Sequence, residues 1–229
     1  MKKFISVFLL IFIFFGYNPF GTLQIVHGQT KDKIKKTIRG EFQLPRATSN
    51  KAFMKNFSGV FNTGVSMNFG RKHFTAGGFY SLTQFQVFPG FQQSVDNPHT
   101  ILTIHTAGIK FSYDMLTSTG NGMFSPFISP GYSWLKYTRI KSKNHPPGTT
   151  HLATPGVSFG AAYNIMMDEW TGAGFIIGYN MINHVYRPEN VCLDEWYSYS
   201  EDEKRGVFQN LFFGFSVYFD LAKKPDTAE

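Results

Sequence analysis

Residues 57–69 read FSGVFNTGVSMNF, and the two parities of this stretch differ in kind. The odd positions are Phe57, Gly59, Phe61, Thr63, Val65, Met67 and Phe69; the even ones are Ser58, Val60, Asn62, Gly64, Ser66 and Asn68. A period of two is the signature of a strand, because successive side chains leave opposite faces of the backbone. Here the bulky apolar and aromatic face is set against a small, polar one. That combination suits a wall with hydrocarbon on one side and a wet, tightly packed interior on the other.

Working outward, the same rhythm predicts seven more strands. Residues 37–44 place Ile38, Gly40, Phe42 and Leu44 on one face and Thr37, Arg39, Glu41 and Gln43 on the other, with Pro45 expected to end the strand because it lacks the N–H a ladder needs. In residues 74–85, Phe74, Ala76, Gly78, Tyr80 and Leu82 share a face until the pattern slips near Gln84, as at a bulge. Residues 102–116 turn Ala107, Ile109, Phe111, Tyr113 and Met115 outward. Residues 123–137 do so with Phe124, Ile128, Tyr132 and Trp134, although Pro126 and Pro130 imply local bulges or weak pairing. Residues 152–165 and 171–184 alternate cleanly, and 207–221 presents Leu211, Phe213, Phe215, Val217 and Phe219 outward.

The ends of the chain read differently. Lys2 and Lys3 precede an apolar run from Phe4 to Phe15, which is short for a membrane span and is followed by Gly16, Asn18 and Pro19; this is the pattern of a cleaved secretory signal, expected over residues 1–28. Residues 29–36 form a polar lead-in, 37–221 the barrel and 222–229 a polar tail. No later apolar stretch is long enough for a transmembrane helix, so any membrane crossing is made by strands. Aromatic residues make up 17% of the chain, with 26 Phe, which is more than an ordinary soluble domain carries. The formal charge of +7 falls to +5 when Lys2 and Lys3 leave with the signal, and export argues against nucleic acid as its partner. A single cysteine, Cys192, makes no internal disulfide and is expected to be an inert thiol in a loop.

Eight strands is an even number, and the connections after strands two, four and six are short while those after one, three, five and seven are long. On this alternation, this count and the aromatic-rich segment from Leu211 to Phe219, the chain resembles the small eight-stranded outer-membrane β-barrels of Gram-negative bacteria, the broad class of OmpX and the OmpA membrane domain. The resemblance implies an all-β, closed, antiparallel, up-and-down transmembrane barrel with short periplasmic turns and longer extracellular loops. It also implies residence in the outer membrane among lipid and lipopolysaccharide, and insertion by the barrel-assembly machinery. In that class the last strand commonly ends the protein on an aromatic residue, whereas here the sequence continues from Asp220 to Glu229. The stretch from Leu44 and Pro45 through Ser49, Asn50, Lys51, Ala52 and Phe53 is similar to a segment of barrel proteins of unassigned role.

Several ionisable residues fall on the inward parity: Arg39, Glu41, Lys110, Asp114 and Asp220. An eight-stranded interior is just wide enough to be filled by side chains, so these charges must pair or meet water, and a structural polar network is expected. Arg39 and Asp220 are a candidate pair, because the first and last strands adjoin on closure. Lys110 and Asp114, four apart on one strand, need partners on other strands. His184 invites comparison with lipid A deacylases, barrels that use a His, a Ser and an acidic residue, but Tyr186 stands where those enzymes have their serine. His73, His105 and His151 lack ligand spacing, and neither a metal nor a cofactor is expected. The loops offer recognition candidates for an unknown surface ligand: basic Lys141 and Lys143, and Trp196, Tyr197 and Tyr199 in an acidic stretch with Asp194, Glu195 and Glu201. The leading expectation is a non-enzymatic barrel in envelope structure or surface interaction. The alternatives are a lipid A-modifying enzyme, a secreted ligand-binding barrel of lipocalin type, and a small channel.

Overall fold

Each alternating segment forms a strand in the computed structural model, which describes residues 34–87, 101–139, 148–168, 170–195 and 197–221. The elements are β1 (Lys35–Ala47), α1 (Lys51–Asn56), β2 (Phe57–Arg71), β3 (Phe74–Val87), β4 (Ile101–Tyr113, resuming as Met115–Leu116), β5 (Gly122–Arg139), β6 (Gly148–Met166), β7 (Thr171–Val185), a 3₁₀ turn (Pro188–Val191), α2 (Glu201–Lys204) and β8 (Val207–Asp220). Each strand pairs antiparallel with its chain neighbours, and β1 pairs with β8 from Thr37↔Asp220 to Ala47↔Asn210. The sheet therefore closes on itself and has no free edge.

The end at which β1 starts and β8 finishes carries the short connections, at residues 72–73, 117–121 and 167–170. In the last of these the Asp168 carboxylate accepts from the Trp170 N–H (2.8 Å), the Thr171 N–H (2.6 Å) and the Thr171 hydroxyl (2.7 Å), which fixes the turn. Those donors hold the Asp168 carboxyl below the usual carboxylate range, the Trp170 N–H foremost. The opposite, loop end carries α1 and the long connection holding the 3₁₀ turn and α2. The signal, residues 88–100, the basic loop with Lys141 and Lys143, Trp196 and the tail lie outside the described residues.

The outward parity matches the sequence reading over most of the wall. Phe42, Phe74, Ile109, Phe175, Phe213 and Phe215 are among a broad belt of exposed large apolar side chains. A soluble lipocalin-type barrel would point these inward, so that alternative is overturned by their exposure.

Four local expectations need correction. β1 does not stop before Pro45 but continues to Ala47, and it starts at Lys35, within the expected lead-in. Pro45 is tolerated because the β1–β2 ladder ends at Gln43↔Asn62 while β8 still pairs alongside. The Pro45 carbonyl faces β2 so closely that a Cβ on Gly59 would lie 1.8 Å from it, which is why glycine stands there. Phe57, expected outward, is buried inside, because a bulge between Gly59 and Phe61 reverses the parity of β2. The bulge expected near Gln84 belongs to the facing strand: Gly59 pairs with Phe85 and Phe61 with Gln84, so the extra residue is Val60 of β2, while the β3 register with β4 is continuous, with Phe85 and Val87 inward and Gln84 and Gln86 outward. The residue types exchange faces there, not the backbone. Finally, β6 begins at Gly148 and so extends into the expected basic loop.

The prolines of β5 behave as anticipated. The β5–β6 register runs unbroken from Gly122↔Ile165 to Arg139↔Gly148, but on the β4 side no pairing forms opposite Pro130 and Pro126. Missing N–H groups sit where the ladder opens.

Candidate functional site

Strand alternation delivers two chemically distinct fillings to the one interior. In the half nearer the turns, β4 carries Lys110, Ser112 and Asp114 inward, facing Arg39 and Glu41 from β1. Asp114 accepts from Lys35 Nζ at 2.8 Å, from the Ser125 hydroxyl at 2.7 Å and from Arg39 Nη2 at 3.4 Å. Arg39 also donates to Ser125 at 3.3 Å, and its guanidinium stacks 5.6 Å from the Tyr218 ring. Arg39 thus takes Asp114 as its hydrogen-bonded carboxylate, not Asp220 as expected; Asp220 sits at the rim, its N–H donating to the Trp170 carbonyl. Lys110 pairs with Glu41 and lies 4.2 Å over the Phe127 ring, while Gln43 Nε2 donates to Glu41 at 2.9 Å and Asn62 Nδ2 to Gln43 at 2.6 Å.

These contacts form two neighbouring clusters, Lys35 and Arg39 on Asp114 and Lys110 on Glu41, in each of which cation meets carboxylate, the arrangement that offsets the desolvation of enclosed charge. Arg39 Nε and Nη1, Asn62 Oδ1 and Asn68 Oδ1 lack a protein partner among the described residues. A cavity of ≈ 40 Å³ is bordered by Glu41, Asn62, Ser66 and Lys110, room for about two or three waters.

The half nearer the loops is filled by hydrocarbon. Phe53 of α1 is wholly buried; its ring stacks on Phe57 (4.7 Å between centroids, 7° between planes) and meets Phe85, Tyr186 and Phe208 edge-on at 5.2, 5.1 and 4.9 Å. Leu102, Ile104, Leu135, Tyr137 and Ile182 complete this core from the wall, and Val191 and Leu193 from the last loop.

Asn50 holds the cap in place. It adopts φ 59°, its carbonyl oxygen accepts from the Phe53 N–H at 3.0 Å as a helix N-cap, and its amide donates to the Tyr186 carbonyl (2.9 Å) and the Lys204 carbonyl (3.0 Å). Ser49 donates to the Val207 carbonyl, and Gly206, at φ 104°, turns the chain back beneath Asn50. At the surface Lys55 pairs with Glu203, and Lys204 with Glu189 at 2.7 Å. The Lys55 ammonium and the Ser200 N–H hold the Glu203 carboxyl down at about 2. None of Ser49, Asn50 or Phe53 was singled out for a role by the sequence.

The remaining candidates are dispersed. The His184 ring meets the inward Tyr137 hydroxyl at 3.0 Å, on the lumen side of the wall. Tyr199 is half-buried against the apolar core and donates to Asn56 at 3.0 Å, whereas Tyr197 is exposed. Cys192 is buried, in the left-handed conformation that ends the 3₁₀ turn. No group of His, Cys, Asp and Glu suited to a metal ion occurs among the described residues.

No protein-family model matches the chain, and no curated protein does. Solved structures do. Neisserial surface protein A (NspA) is 12% identical, with a TM-score of 0.50 over 81% of this chain and 97% of that one. A major outer membrane protein from Thermus thermophilus is 6% identical, with a TM-score of 0.55 over 82% and 99%. Both likenesses concern the path of the backbone, and the apolar belt supplies the independent reason to put such a wall in lipid. The chain has the fold of the small eight-stranded outer-membrane β-barrels, and its exposed apolar belt is the surface a barrel wall presents to lipid.

Proposed function

We propose that this is a non-enzymatic outer-membrane barrel with a lumen closed by its own side chains, contributing to envelope structure or to surface contact through its loops. The turn end is periplasmic and the loop end extracellular. The observation that carries this reading is the aromatic core around Phe53, which fills the extracellular half of the interior and is pinned by Asn50. A water path would have to cross that hydrocarbon, and its packing argues against a standing pore. In planar bilayers the purified chain should give sealed traces, and a variant lacking residues 51–56 should conduct. Steady conductance from the unaltered chain would defeat the reading.

The enzyme alternative finds less support. The His184 imidazole meets a buried tyrosine inside the wall, out of reach of an acyl chain in the surrounding lipid, and Tyr186 is itself packed in the core. Lipid A from a deletion strain should be unchanged.

A further inference from the structure

The closed ring of strands is not equally tall all round. β6 stays paired with β5 up to Arg139↔Gly148, but its ladder with β7 stops at Gly156↔Ile182. The seven residues from Gly148 to Thr154 therefore rise above the last β7 pair with one flank bare, a row about 23 Å long at the rise of a strand. Every second residue of an antiparallel strand turns its N–H and C=O to the same flank. Among the described residues no backbone group of β7 or of the last loop bonds to this one. The Thr154 hydroxyl bridges the foot of the gap, donating to the Asn183 carbonyl at 2.7 Å.

Two local causes open the wall here. Pro155, which has no N–H to offer, stands where the β6–β7 ladder ends. β7 in turn passes from Ile182↔Phe208 to Val185↔Val207, so Asn183 and His184 are extra residues that bend its end, and it follows β8 instead of β6. The packing records the missing neighbour. Leu135 and Tyr137 are fully buried, yet their partners across the β5–β6 ladder, Leu152 and Thr150, remain partly exposed on the inner face. The row is also undefended: free edges in native proteins carry charges or bulges that stop another strand from docking, whereas residues 148–154 read GTTHLAT, with three β-branched threonines and no Lys, Arg, Asp or Glu. Its outward side chains Thr149 and His151, with Lys136 beside them, are polar and exposed. That places the row above the apolar belt, since bare backbone groups are not tolerated in hydrocarbon.

We propose that this flank of β6 receives an extended segment of another protein as an added strand, in the place that β7 leaves empty. An apolar side chain of that segment opposite Leu152 would complete the partly exposed inner face. Exposed Lys136 and Arg187 on the two sides of the gap favour carboxylates among its outward residues. A second copy of this chain does not fit. Identical edges pair antiparallel about a two-fold axis perpendicular to the sheet, which here lies in the membrane plane and would invert the second barrel. A two-fold along the membrane normal would cross the tilted strands instead of laying them side by side. The inference deepens the surface-contact reading and rests on it.

The test uses the full chain refolded in neutral detergent and a synthetic nine-residue peptide that alternates valine with threonine and glutamate, with binding read by the anisotropy of a dye on the peptide. The peptide should bind saturably. An added strand bonds to β6 along one flank only, so N-methylation of every second amide in one phase should weaken binding at least ten-fold, and in the other phase by less than two-fold. Leu152→Lys, which points a charge inward as defended edges do, should weaken the unmodified peptide at least ten-fold while migrating as a folded barrel on a heat-modifiability gel. No saturable binding, equal effects of the two methylation phases, or undiminished binding to Leu152→Lys would overturn the proposal. The side of the membrane is read separately. His151→Cys should be labelled by a membrane-impermeant maleimide on intact cells, with the unaltered chain, whose Cys192 is buried, as the blank. Failure of that labelling would defeat the extracellular placement, and with it the surface partner, even where the peptide binds in detergent.

Discussion

The two halves of the interior are built by the same eight strands, yet one is a chain of ion pairs and the other an aromatic core. Near the turns, Asp114 gathers Lys35, Arg39 and Ser125; near the loops, Phe53 gathers Phe57, Phe85, Tyr186 and Phe208. Lipid imposes one composition on the outer face along the apolar belt, but nothing imposes one on the inside. Each half has solved the filling problem separately. The charged half satisfies its groups by mutual pairing, which specifies geometry more than it stabilises. The aromatic half excludes water, and that burial is net favourable.

The comparison is broken most directly at Phe53. Phe53→Ala should lower stability by about 3–5 kcal/mol, the range for removing a buried phenylalanine, read as a shifted urea midpoint for refolding into detergent. Asp114→Asn should cost a comparable amount, about 3–5 kcal/mol, because the amide keeps one acceptor oxygen of the two and leaves the enclosed Arg39 charge without its carboxylate; the same titration reads it. Replacing Lys110 and Glu41 together by Met and Leu should change stability by no more than about 1 kcal/mol, because a buried pair exchanged for hydrocarbon of similar volume is often neutral. If that double variant were as damaging as Phe53→Ala, the distinction between the halves would fall. The smallest effect is expected on the cap's outer surface. Glu203 has its folded pKa depressed to about 2 from 4.5, so its stabilisation is present above pH 4.5 and fades as pH falls toward 2. Lys55→Gln should flatten the pH dependence of cap opening in that window, followed by hydrogen exchange at the Ser200 and Glu203 amides.

The outer wall could be read from sequence because the apolar parity of Val65, Met67 and Phe69, or of Leu211, Phe213 and Phe215, meets a single environment along its length. The inner face was misread wherever hydrocarbon occupies both parities. At Gln84 and Phe85 the bulge was placed on β3, whereas the extra residue is Val60 of the facing strand, and its effect on the parity of Phe57 went unnoticed because glycine and small residues surround it. The signal was present: Phe85 and Val87, Leu102 and Ile104, Leu135 and Tyr137, and Phe208 all switch to the inner parity at the same end of their strands. The Arg39 partner was missed for a different reason. Asp220 is the nearer carboxylate across the β1–β8 junction, but Arg39 reaches over the lumen to β4. Asn50 was illegible because its partners Tyr186 and Lys204 lie more than a hundred positions away along the chain.

The position of that asparagine bears on how the cylinder is finished and kept shut. The seam between the earliest and latest strands is formed by pairs such as Thr37↔Asp220, contacts that arise late because so much polypeptide separates them. Ser49 and Asn50 follow directly on the first of those strands and bond to Val207 and Lys204 at the start of the other. The stopper is therefore also a latch: it locks the join as it fills the mouth, and sideways parting of the staves would first require Phe53 to be drawn out.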